Sequence, residues 1–123
     1  MEGRLLQDWI TVRGQNDVTF VTQGADSWLD IGDAEDLTLF LDVREVSATP
    51  PKMLYETSPV EQASSFLAMV PSFATTVGQR MDRVFTDMAA VPPARFVRWT
   101  LKPGGIPWDI TFRIWLATYA RMR

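Results

Sequence analysis

The run Leu37-Thr38-Leu39-Phe40-Leu41-Asp42-Val43-Arg44 decides the fold. Leucine or valine stands at every second position, so Leu37, Leu39, Leu41 and Val43 share one face, which is the period of a half-buried strand. The same alternation returns in Asp109 to Leu116, with Ile110, Phe112, Ile114 and Leu116 inward, and in Arg95 to Lys102, with Val97, Trp99 and Leu101 inward. Further strands are expected over Leu6 to Arg13, Val18 to Thr22, Ser27 to Ile31 and Met53 to Thr57. Their separators, Gly14-Gln15-Asn16-Asp17, Gly24-Ala25-Asp26 and Pro50-Pro51, have turn chemistry, because Gly and Asn permit positive φ and Pro withholds a ladder donor. Short strands at regular intervals favour an antiparallel sandwich over βαβ units. The expected architecture is all-β: one antiparallel, jelly-roll-like sandwich domain spanning residues 1–123.

The stretch from 63 to 90 reads two ways. Val77, Met81, Val84, Phe85 and Met88 fall at helical spacing, while Met81, Arg83 and Phe85 alternate as in a strand. A short helix lying against the sheet and a strand or irregular segment both remain open. Pro92-Pro93 ends whichever forms.

Composition narrows the chemistry. A chain of 123 residues with 46% hydrophobic content supports a core without a disulfide or a metal. Cysteine and histidine are both absent, which excludes thiol nucleophiles, zinc thiolate sites, imidazole general bases and a Ser-His-Asp triad. Two lysines remain, Lys52 and Lys102, the latter in the turn-like Lys102-Pro103-Gly104-Gly105. Gly78-Gln79-Arg80 and Gly104-Gly105 lack the pattern of a phosphate loop and read as turns. The chain is expected not to be an enzyme and to need no cofactor. No apolar run reaches the roughly 18 residues of a membrane-spanning helix, so a soluble protein without a membrane partner is expected. A sequence pI near 4.8 disfavours nucleic acid.

Charge is unevenly distributed. Residues 1–62 carry 12 acidic and 4 basic side chains and residues 63–123 carry 3 and 8, for −8 and +5, which together give the net −3. Either the halves interleave and pair locally, or opposite poles drive head-to-tail association. Asp30, Asp33, Glu35 and Asp36 crowd one expected loop, where carboxylate oxygens offer a weak calcium candidate against the plainer reading of a solvated polar loop.

Aromatic residues carry the most information. In the strand registers above, Trp9, Phe40, Phe96 and Trp115 fall opposite the main apolar sets, beside Arg13, Arg44, Arg98 and Arg113. Large rings on an outer face need a cover: the chain itself, another subunit or a ligand. Tryptophan beside arginine matches the composition of protein interfaces, and these eight residues are the interface candidates. Sugar-binding platforms, where a ring stacks on a pyranose, are the alternative.

The order of a Leu37-to-Val43 strand, Leu54-Tyr55-Glu56-Thr57-Ser58-Pro59, Phe96-Val97-Arg98-Trp99-Thr100-Leu101 and a terminal strand from Trp108 to Leu116 resembles that of small β-sandwich proteins that decorate or complete the particles of tailed bacteriophages and related assemblies. The resemblance implies a structural virion protein, made in the host cytoplasm and present in many copies or as a homo-oligomer. It would be held on a lattice of capsid or tail subunits by aromatic and arginine contacts.

Overall fold

The structure is a computed structural model that describes residues 2–14, 19–86, 89 and 91–119. Among these, ten strands form: β1 (Glu2–Gly14), β2 (Val21–Thr22), β3 (Leu29–Asp30), β4 (Asp36–Val46), β5 (Lys52–Ser58), β6 (Leu67–Ala68), β7 (Phe73–Ala74), β8 (Gly78–Val84), β9 (Phe96–Lys102) and β10 (Trp108–Tyr119). One sheet has the order β1-β10-β4-β8. The other has β9 and β5 at its centre, with β2 and β3 on the outer side of β9 and β6 and β7 on the outer side of β5.

The pairing is nested. β1 pairs with β10, the β2 and β3 pieces with β9, β4 with β8, and β5 with β6 and β7, all antiparallel. A long hairpin rolled on itself gives this order, which is the jelly roll expected from the sequence. The expected strand at Val18 to Thr22 appears as β2, with Val18 and the Gln15-Asn16-Asp17 part of its preceding turn outside the described residues.

The core follows from the alternation. Leu37, Leu39, Leu41 and Val43 of β4 and Ile110, Phe112, Ile114 and Leu116 of β10 are all buried, facing Met53, Tyr55, Val97, Trp99 and Leu101 of the second sheet. Trp99 meets Phe112 edge-on at 5.1 Å between ring centroids. Each such side chain contributes about 2 kcal/mol by leaving water.

Two open alternatives are decided. The helical option for residues 63–90 does not occur among the described residues, where a single 3-10 turn at Ala63–Ser65 leads into the strands β6, β7 and β8. Met81 and Val84, which helical spacing would place on one face, lie on opposite sides of β8, with Met81 exposed and Val84 buried. The charge halves do not form poles. β1 and β4 from the acidic half alternate with β10 and β8 from the basic half, and the pairs Asp30–Arg95, Glu56–Arg98 and Asp42–Arg113 join the two.

The two faces of the first sheet make a clean contrast for mutation. Leu39→Ala is expected to cost about 3 kcal/mol by leaving a cavity in the core. Leu5→Ala, on the outer face, should cost under about 1 kcal/mol. Urea unfolding of both variants checks this, and equal losses would contradict the assignment of faces.

Candidate functional site

The two sheets treat their outer faces differently. On the second sheet, the outward residues of β9 are Phe96, Arg98 and Thr100, and all three are buried. Over Arg98 the cover comes from the chain's own segments before β3 and before β6. Arg98 lies 4.0 Å from the centroid of Phe66 and 5.3 Å from that of Trp28, and the two rings are 4.7 Å apart. Its Nε donates to Glu56 Oε1 at 2.9 Å and its Nη2 to the Ala63 carbonyl at 3.4 Å. Thr100 Oγ1 donates to the same Glu56 oxygen.

Gln23 fixes the Trp28 side of this cover. Its Nε2 donates to the carbonyls of Leu6 and Ser27, its Oε1 accepts from the Trp99 backbone N–H, and its own carbonyl accepts from the Trp28 indole. Phe96 and Arg98 are therefore corrected as interface candidates. Their outward register is as expected, but the cover that such rings need is intramolecular.

The outer face of the first sheet is different. Register places Leu5 beside Trp115, Trp115 beside Phe40, and Phe40 beside Met81, so one apolar row crosses all four strands at right angles to them. No described segment lies over this row as Trp28 and Phe66 lie over Arg98: Leu5 is 37% exposed, Trp115 38% and Met81 56%. A groove of about 700 Å³ adjoins its Trp115–Phe40–Met81 part and is lined also by Phe85, Ala117 and Tyr119, with Asp36, Thr38 and Arg83 as its polar groups.

Next to the row, Trp9 is contacted by two guanidinium groups, Arg44 at 4.2 Å and Arg113 at 4.7 Å from its ring. Arg113 also lies 5.7 Å from Trp115 and reaches Asp42 at 3.6 Å. Its Nε is buried without a hydrogen-bond acceptor, so the ring faces and the nearby Asp42 carboxylate together offset the partial desolvation of this cation. Arg13, Arg44 and Arg83 form no ion pair among the described residues. Six of the eight interface candidates thus belong to this sheet: Trp9, Phe40, Trp115, Arg44 and Arg113 gather at or beside the row. Arg13 sits at the far end of β1, opposite Asp109.

Met81, Phe85, Tyr119 and Leu5 belong to this surface too. The alternation of Met81, Arg83 and Phe85 was the available signal. The pairing of β8 with β4, which puts Met81 beside Phe40, is not written in either strand.

The calcium candidate does not hold. No group of three acidic side chains among the described residues is placed to share an ion. Asp30 is engaged by Arg95 through three contacts of 3.0 to 3.3 Å and by the Gly32 N–H at 2.8 Å. The Arg95 hydrogen bonds, helped by that of Gly32, lower its pKa below the ordinary aspartate value. Asp36 accepts from the Thr86 N–H, Thr86 Oγ1 donates to the Glu35 carbonyl, and Asp33 is exposed.

By fold the chain is a jelly-roll β-sandwich with one outer face covered internally and the other presenting aromatic and arginine side chains. Compared with known protein families and with curated proteins, it gives no match.

The two faces predict opposite responses to losing an arginine. Arg98→Ala strands the largely buried Glu56 carboxylate and should cost about 3 kcal/mol, whereas Arg98→Met with Glu56→Gln should recover most of that loss. Arg44→Ala, at an exposed position, should change stability by less than about 0.5 kcal/mol. Thermal and urea melts of the three variants decide it.

Proposed function

We propose that this chain is a non-catalytic structural protein that docks on a repeated protein lattice, of the kind formed by the capsid or tail subunits of a phage-like particle. The observation that carries the reading is the apolar row Leu5–Trp115–Phe40–Met81 beside the Arg44–Trp9–Arg113 stack. Four strands spaced about 4.8 Å apart, along a β10 strand of 12 residues, offer a face of roughly 700 Å². That approaches the roughly 800 Å² per partner of an ordinary stable interface. Half-exposed tryptophan flanked by arginine is the side-chain type that dominates binding at such surfaces. The rings are held by their own strands and the guanidinium groups by the rings, so little side-chain freedom is lost on docking.

Sugar binding is the second reading, supported by one observation: Trp115 and Tyr119 line a concave groove that also holds Asp36, Thr38 and Arg83 as hydrogen-bonding groups. The apolar character of Met81, Phe85 and Phe40 weighs toward a protein partner, since a saccharide needs more polar contacts than this lining supplies.

The test is gradient sedimentation of particles from producing cells, followed by quantification of this chain in each fraction. Many copies are expected in the particle fraction. Trp115→Ala should reduce that occupancy about thirtyfold or more at limiting concentration while leaving the melting curve nearly unchanged. Recovery of the chain only at low mass would sink the lattice reading. Glycan-array binding that Trp115→Ala abolishes would put the sugar reading in its place.

A further inference from the structure

The strand β8 forms one border of the first sheet. Its inner side pairs with β4 through seven consecutive matches, from Leu37↔Val84 to Val43↔Gly78, with no bulge. Among the described residues no strand pairs with its other side. The opposite border, β1, carries two register shifts, between Leu5 and Gln7 and between Gln7 and Ile10. Such irregularities spoil an edge as a template for another strand. Gly78-Gln79-Arg80-Met81-Asp82-Arg83-Val84 has no such irregularity and neither proline nor lysine; the charges it does carry, Arg80, Asp82 and Arg83, restrict the registers in which another strand can pair. Residues 78–81 and Arg83 are exposed.

We propose that the occupant of this edge is a second copy of the chain, with the two β8 strands antiparallel about a two-fold axis at Met81. In an antiparallel pair, residues directly opposite share a face of the sheet. Centring on Met81 sets Arg80 against the partner's Asp82, Asp82 against the partner's Arg80, and Gln79 against the partner's Arg83. Centring on Arg80, Asp82 or Arg83 instead sets like charges against each other on the axis. Within one chain Arg80 already holds Asp82, with Nε to Oδ2 at 2.8 Å and Nη2 to Oδ1 at 3.2 Å. Pairing across the axis turns two such ion pairs into a ring of four alternating charges.

The apolar row supports the same register. It ends at Met81, which is more than half exposed, and under this axis it continues through the partner's Met81 and Phe40 to the partner's Trp115 and Leu5. The two grooves then open on one side of a continuous eight-stranded sheet. The contact is isologous, so it closes at two copies and does not grow into a fibre. This inference goes beyond docking on a lattice, and either can fail without the other.

Analytical ultracentrifugation of the full chain tests it. The unaltered protein should show a concentration-dependent monomer–dimer equilibrium. Asp82→Arg alone sets arginines against arginines, and Arg80→Asp alone sets aspartates against aspartates. Each should weaken dimerisation about tenfold or more. Mixed one to one, the two variants should regain it as a heterodimer. Each lacks the ion pair within its own chain, so only contact between chains can restore association. Met81→Glu, at an exposed position, places two carboxylates on the axis and should weaken dimerisation likewise. Trp115→Ala, two strands from the axis, should leave it intact, which separates this contact from lattice docking. A protein still monomeric at roughly 0.5 mM overturns the proposal. So do dimers that survive Met81→Glu or both charge reversals, or reversals that do not complement each other in the mixture.

Discussion

The packing of the inward rows of β4 and β10 against those of β5 and β9 holds everything else in place. Leu39 lies beside Leu116 and Leu41 beside Ile114 in the first sheet, Tyr55 beside Trp99 in the second, and Trp99 reaches Phe112 across the gap between the sheets. Alternation then dictates the rest. Once these residues point inward, Phe40, Asp42, Arg113 and Trp115 must point out, and so must Glu56, Arg98 and Thr100. The outer chemistry of the protein is the complement of its core, fixed by the two-residue period of the strands.

What the two outer faces become depends on whether the chain can return to cover them. Over the second sheet it does. Trp28 and Phe66 come from segments on either side of β9 and β5, and they close on Arg98, whose charge is met by Glu56 and whose flat guanidinium is met by the rings. Over the first sheet, Arg44 and Arg113 meet Trp9 in the same chemical manner, but all three side chains come from the sheet itself, and Trp115 and Met81 stay accessible. One motif, a cation against an indole, closes a core in one place and furnishes an open surface in the other.

This contrast explains how much could be read in the sequence. The strands outside residues 63–90 were legible because their signal is local: alternation in β4 and β10 names the core residues directly. The outward direction of Trp9, Phe40, Phe96 and Trp115 followed from the same period. The fate of Arg98 was not legible, because it depends on Trp28 and Phe66, which lie far from it along the chain and show no period of their own. The double character of residues 63–90 arose because Met81, Val84 and Phe85 suit both a helix stripe and the two sides of an edge strand, and only pairing with β4 decides between them. The acidic loop looked suited to a metal because four carboxylates are close in sequence; in space Asp30 is taken by Arg95, 65 residues away.

The nested pairing has a consequence for the timing of folding. The row on the first sheet takes one residue from each of four strands, Leu5 near one end of the chain and Trp115 near the other. Thr11 and Thr111, whose hydroxyls meet at 2.8 Å, are 100 residues apart. Closing so long a loop is entropically expensive and is favoured after the inner turns of the roll have formed. Alignment of the row's four residues is thus favoured late. A nascent or half-folded molecule has the hydrophobic residues of the row but not their alignment, so the row as a surface exists only in the finished fold.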